Sequence, residues 1–322
     1  HGRQDGIMTM GSKPSEPDEA VGIHPADFGL SYKSAGALHD AIKSRLKVAA
    51  ERGPYDVNEL RRQFAYDRLL TRVFEHAPEK WLVKGGTGLL ARIPQHARHT
   101  NDVDLHYQGE ETTVIADLHQ AVDLDLGDYF SFDLEEVGEL TGVNSGSKIR
   151  AVAYIGDTRF SNFEIDAVVA SNMTAAPELV DALTPITIEG LQVNQYRAYP
   201  IVDHVADKHA AMVAIYSDGH PSTRYRDLVD IVIIATSQHI EAAALHEALM
   251  SEYQHRDLEI PTGVEIPSDD WIDGYAKQAN HVPDLDYQTA DEGLAVASAF
   301  LNPILEGRNT GSWSPATLEW SD

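Results

Sequence analysis

The 322-residue chain is 43% hydrophobic with a formal net charge of −26, a composition suited to one large globular domain or two ordinary ones. It has no cysteine, which excludes disulfides, thiolate zinc sites and cysteine nucleophiles and fits a cytoplasmic location. No apolar run approaches the ~18 residues of a membrane span, and the polar N-terminal stretch lacks the hydrophobic block of a signal peptide.

The acidity is unevenly spread. Residues 33–98 hold thirteen Lys or Arg against seven Asp or Glu, net +6, so the other 256 residues carry −32. The chain as a whole repels phosphate, and its charge serves solubility. Screening nevertheless limits such repulsion to about 10 Å, so a local basic face is compatible with an anionic substrate.

Residues 1–26 are rich in Gly, Pro and charge without periodicity; a flexible tail with a tag-like opening is expected, the natural start falling at Met8 or Met10. Apolar residues at helical spacing predict helices over 34–50 and 57–76, separated by Gly53-Pro54. The polar face of the second helix carries Arg61, Arg62, Arg68 and Arg72, read as a solvated face or as a strip for RNA or triphosphate.

Residues 81–107, WLVKGGTGLLARIPQHARHTNDVDLHY, read as strand, glycine turn, short helix, polar loop and second strand. Side chains alternate along a strand, so Asp102 and Asp104 leave one face and Val103 the other. Two carboxylates so close repel unless a cation sits between them, and hard oxygen ligands favour Mg²⁺ or Mn²⁺. Gly85 and Gly86 permit a sharp turn that brings backbone N–H groups to an anion.

A helix is predicted over 110–126, strands over 130–137, 149–155 and 163–169, and an extended pair over 186–188 and 192–199. In the last of the three strands Glu164 and Asp166 oppose the apolar face, which makes Asp166 a third metal-ligand candidate. From residue 201 the pattern is helical: 202–216, 224–238, 240–253, 271–280 and 290–301. The division expected is therefore a tail (1–26), N-terminal helices plus core (27–200), a helical C-terminal lobe (201–306) and a flexible tail (307–322). The fold class is α+β, with a mixed α/β sheet.

Nucleotidyl transfer needs placement, metal and cations on the triphosphate rather than covalent chemistry. Lys84, Arg98 and Lys208 are the cationic candidates, and Ala206, Ala210 and Ala211 leave room for close approach at Lys208. Asp227 and Asp230, three apart, share a helix face as ion-pair or site residues. The histidines His96, His99 and His106 form no HExxH pair, and no GxSxG element is present, so zinc hydrolase and serine hydrolase chemistry have no foothold.

In order, KGGT (84–87), RHTNDVDL (98–105), an acid on a later strand (Asp166), ADK (206–208) and RYRDLVD (224–230) resemble the AbiEii/AbiGii-type nucleotidyltransferases. These belong to the DNA polymerase β-like superfamily and include the MenT toxins. The resemblance implies a polymerase β-like core and an NTP-using toxin paired with an antitoxin. In MenT-like members the acceptor is a tRNA 3′ end. It further implies that Lys84, Gly85, Gly86 and Thr87 hold the NTP, beside the cationic candidate Arg98, and that Asp102, Asp104, Lys208 and Asp227 serve catalysis. Asp102 and Asp104 would bind metal, with Asp166 the less secure third ligand. The alternatives are a catalytically silent NTP- or partner-binding module, and transfer to a protein or small molecule.

Overall fold

Ser34 and Asp56 start the two N-terminal helices. The Ser34 hydroxyl accepts the Ala37 N–H to open α1 (Ala35–Ala50). Asp56 opens α2 (Val57–His76) with a capping box: its carboxylate takes the Asn58 and Glu59 N–H groups while Glu59 reaches back to the Asp56 N–H. The computed structural model describes residues 29–94, 96–140, 145–169, 172–215 and 219–322. The expected N-terminal tail, most of the 142–146 turn and residue 216 lie outside the described residues.

The arginines of α2 part company. Arg61 is exposed, but Arg68 and Arg72 are 1% and 0% exposed and bind Asp128 at 3.0 and 2.7 Å. A solvated face therefore does not describe them. α2 is enclosed on more than one side, and a buried guanidinium persists only with its own counter-ion.

The strand–turn–helix–strand reading of residues 81–107 holds as β1 (Trp81–Val83), α3 (Gly85–Arg92) and β2 (Asp102–Tyr107). After a 3₁₀ turn at Glu111–Thr113 comes α4 (Val114–Val122), shorter at both ends than expected. Then follow β3 (Phe130–Glu139), β4 (Gly146–Ile155), β5 (Thr158–Val169), β6 (Glu178–Val180) and β7 (Tyr196–Ala198). The expected extended pair does not form. Only Tyr196–Ala198 is strand, pairing with Glu178–Val180. Ile188 is buried and Gly190 turns at φ +79° against the Gly29 carbonyl.

Among the described residues the main sheet has seven strands in the order β3-β4-β5-β2-β1-β7-β6. It is mixed, as expected: β2 runs parallel to β5 and antiparallel to β1, and β3, β4 and β5 form an antiparallel meander. Val103 and Ile165 are neighbours across β2 and β5, and both are fully buried. The same face meets α2, where Tyr66 packs edge-on against Phe163 at 4.8 Å. Strand alternation then forces Asp102, Asp104, Glu164 and Asp166 out on the other face.

The C-terminal part comprises α5 (Ile201–Val213), α6 (Tyr225–Ser237), β8 (Ile240–Glu241), α7 (Ala242–His255), α8 (Asp270–Ala279) and α9 (Ala290–Leu305). Trp271 and Tyr275 are fully buried, as core residues should be. Residues 307–322 depart from the flexible tail expected of them: β9 (Ser312–Ser314) and β10 (Glu319–Ser321) form a hairpin that pairs with β8. Trp313 is 0% exposed, donates its indole N–H to the Ala235 carbonyl at 2.6 Å and packs on Phe300 and Trp320. Two tryptophans supply an apolar area that the polar average of the segment conceals.

Candidate active site

Parallel pairing of β2 with β5 sets Asp104 directly opposite Asp166 and Asp102 opposite Glu164. Carboxylate oxygens of Asp102, Asp104 and Asp166 lie within 4.8 Å of one another. The acids are also held from both sides of the chain. Thr100 donates its hydroxyl to Asp102 Oδ1 at 2.6 Å. The Gly86 N–H, at the start of α3, donates to Asp104 Oδ2 at 2.9 Å.

This last contact explains the glycines. Gly85 has φ +53°, and a Cβ built there would stand 2.1 Å from Asp104 Oδ2. A Cβ on Gly86 would stand 2.8 Å from the Thr100 hydroxyl. The turn does receive an anion, and in this structure the anion is the Asp104 carboxylate, placed at the positive end of α3. Thr87, the fourth residue of the motif, is fully buried. Its hydroxyl donates to the Asp102 carbonyl at 3.1 Å and accepts the Asp104 N–H at 3.1 Å, clamping α3 to β2.

The electrostatics follow from crowding. Burial pushes the Asp104 carboxyl up to about 7, Asp102 and Asp166 add to the rise, and Lys208 and Arg98 oppose it. Asp166 is raised as well, first by burial, with Lys148 holding it down and Asp102 pushing it up. Asp166 Oδ1 is buried without a hydrogen-bond partner; Lys148 Nζ stands 3.6 Å from it. Three hard oxygen donors, mutual repulsion and one orphaned oxygen together fit a divalent cation.

The cations predicted for the triphosphate are partly spoken for. Arg98 grips Asp230 with two hydrogen bonds of 3.0 Å. Lys208 is buried and bridges Asp230 at 2.6 Å and Asp227 at 3.1 Å. Burial works against the charge of Lys208, yet Asp230 and Asp227 outweigh it and hold its pKa above the ordinary lysine value. Asp230 is fully buried, and Arg98 and Lys208 overcome that burial and keep its carboxyl far below the usual range. Asp227 also pairs with Arg224 at 2.6 Å. Lys84 takes Asp207 at 3.4 Å and lies 4.7 Å above the Tyr199 ring, while Asp207 is bonded in turn by Arg256. α5 and α6 thus dock their acids onto cations of the α3 region.

The histidines near the motif are not ligands of the acid cluster. His106 stacks on Tyr199 at 5.7 Å, and burial followed by Lys84 and Arg197 brings its pKa down to about 4. His99 is likewise brought to about 4 by burial and Arg62. Sequence reading overlooked Lys148, whose position beside Asp166 appears only when β4 and β5 are paired in register. It also passed over Asp207, although that residue lies inside the ADK motif.

The model of the AbiEii family, a nucleotidyl transferase toxin of a type IV toxin–antitoxin system, matches residues 68–296. The chain belongs to the AbiEii family. The match spans all the clustered acids and their cations, and membership makes this AbiEii protein a nucleotidyltransferase. No curated protein matches it in sequence. Among solved structures, JHP933 from Helicobacter pylori is similar with 15% identity and a TM-score of 0.43, over 76% of this chain and 93% of that one. A second H. pylori protein, proposed to be a nucleotidyltransferase, gives 15% identity and 0.38, over 76% and 96%. Among the described residues no helix of the AbiEii protein is long and apolar enough to cross a membrane.

Proposed function

We propose that this AbiEii protein transfers a nucleotide from an NTP to the 3′ end of a tRNA in the cytoplasm, as a toxin restrained by a cognate antitoxin. The observation that carries the reading is the cluster of Asp102, Asp104 and Asp166 at the mouth of the Gly85-Gly86 turn. The family match supports the reaction class. Residues 27–200 and 201–306 act as two lobes, with the NTP taken where α5 and α6 face β2.

Asp102, Asp104 and Asp166 would hold Mg²⁺ or Mn²⁺. Such an ion, when bound, neutralises phosphate oxygens and orients the attacking and leaving groups. The triphosphate lies toward Gly85, Gly86 and the field of Lys208, Arg98 and Lys84. The acceptor 3′ oxygen attacks the α-phosphorus, the bond from that phosphorus to the bridging β-oxygen breaks, and pyrophosphate leaves. The hydroxyl proton passes to Asp166, through the carboxylate oxygen that a bound cation would leave free. Asp227 is engaged by Lys208 and Arg224, so it orients Lys208 rather than taking the proton. Thr87 contributes by fixing α3 on β2.

The test is incubation of the purified protein with each labelled NTP, divalent cation and total tRNA. Label should reach tRNA with wild type and not with Asp104→Ala, whose melting curve stays cooperative. Labelling that persists in Asp104→Ala sinks the site assignment. Label arriving on a small molecule or a co-expressed protein replaces the acceptor, and NTP binding without turnover favours a silent binding module.

A further inference from the structure

Strand register sets out charge across the outer face of the sheet. One row reads Glu135, Arg150, Glu164 and Asp102; the next reads Lys148, Asp166 and Asp104, ending at the Gly86 N–H. Asp104, at the α3 end of this row, takes the Gly86 N–H at 2.9 Å, whereas Asp166 faces Lys148 on β4 at 3.6 Å. The two ends of the acid cluster are therefore served by different elements.

In-line displacement puts the attacking and leaving oxygens on opposite sides of the transferred phosphorus. With the leaving pyrophosphate on the α3 side, the acceptor must come from the Asp166 side, across β4. We infer that the terminal nucleotides of a single-stranded RNA acceptor run over β4, with Lys148 and Arg150 contacting their phosphates. This rests on the nucleotidyl-transfer reading above.

Lys148 and Arg150 are two residues apart on one face, about 6.6 Å along the strand, a separation that successive phosphates of an extended chain can match. Both cations are already paired, Lys148 with Glu164 at 2.8 Å and Arg150 with Glu135 at 2.8 Å. Those pairs are open to water: Lys148 is 38% exposed and Arg150 51%, with Glu135 at 68%. Ion pairs so exposed contribute little and exchange for a phosphate at small cost. Past Arg150 the face turns acidic, with Asp133 and Glu135 exposed on β3. A long duplex would be repelled there, which confines the contact to a short single-stranded end. The same limit reconciles a net charge of −26 with a polyanionic acceptor.

Binding of a fluorescent single-stranded oligoribonucleotide with a free 3′ hydroxyl, followed by anisotropy on the full chain in EDTA, tests this apart from turnover. Lys148→Ala with Arg150→Ala should raise Kd roughly tenfold, and the slope of log affinity against log salt should fall by about 0.7 per lost cation. Lys148→Arg should restore most of the loss, and Glu135→Gln, which frees Arg150, should tighten binding. In the transfer assay the same double variant should raise KM for the acceptor and leave KM for the NTP within about twofold. Both positions are solvent-exposed, and a melting curve checks each variant. Wild-type-like binding by the double variant, or no oligonucleotide binding by the wild type, overturns the inference whatever the transfer assay shows. Binding through Lys148 and Arg150 with no label transferred by the wild type removes the transfer reading and leaves this contact standing.

Discussion

Replacing Asp104 by Asn should silence the enzyme and make the metal-free protein more stable. Burial, with Asp102 and Asp166, lifts the Asp104 carboxyl from 3.8 to about 7. At 1.36 kcal/mol per pH unit that rise sets an upper bound of ~4 kcal/mol of native-state cost for the ionised form. Asp104 keeps some solvent contact, so ~1–3 kcal/mol is the reasonable expectation. The sign runs one way: between pH 4 and 7 the folded chain keeps a proton that the unfolded chain has released. Wild-type stability therefore falls as pH rises through that window and is level above it. Asparagine carries no charge, and its Oδ1 still accepts the Gly86 N–H. In EDTA at pH 8, Asp104→Asn should melt roughly 1–5 °C above wild type, and the gap should close by pH 4. Divalent cation should raise the wild-type Tm more than the variant's, because binding to the native state alone adds stability. A variant that melts below wild type at pH 8 in EDTA would refute the claim that carboxylate crowding strains this site.

Asp230→Asn leaves the largely buried Arg98 without its counter-charge and Lys208 with Asp227 alone; a loss of about 3–5 kcal/mol is expected in urea unfolding. Gly85→Ala places a methyl against the Asp104 carboxylate at a φ of +53°, so transfer activity should collapse with a stability loss of about 1–3 kcal/mol, measured by turnover and thermal melt together. Asp128→Asn strips Arg68 and Arg72 of their buried partner and should cost about 3–5 kcal/mol without changing KM for the NTP. Trp313→Ala empties a fully buried site; a loss of about 3–5 kcal/mol should appear as earlier proteolysis of residues 307–322.

Local pattern determined a good deal of this protein. The alternation of Asp102, Val103 and Asp104 told which side chains would share a face, because the strand period is a property of the backbone alone. The 57–76 helix and the glycine turn were legible for the same reason: their hydrogen bonds close within a few residues. The ordered motifs carried the family, and with it the enzyme class. What needed the tertiary structure was every contact set by pairing or docking. Only the register of β5 on β2 makes Asp166 the neighbour of Asp104, and only β4 on β5 brings in Lys148. Only the docking of α5 and α6 makes Arg98 and Lys208, candidate triphosphate cations by sequence, into partners of Asp230, 132 and 22 residues away in the chain. Arg68, Arg72 and the 307–322 segment depart from their sequence reading because burial depends on what covers a segment, which its own composition does not record. The glycine turn was recognised as an anion site from sequence. That its anion here is the protein's own Asp104 follows from a fold that brings α3 and β2 within hydrogen-bonding distance.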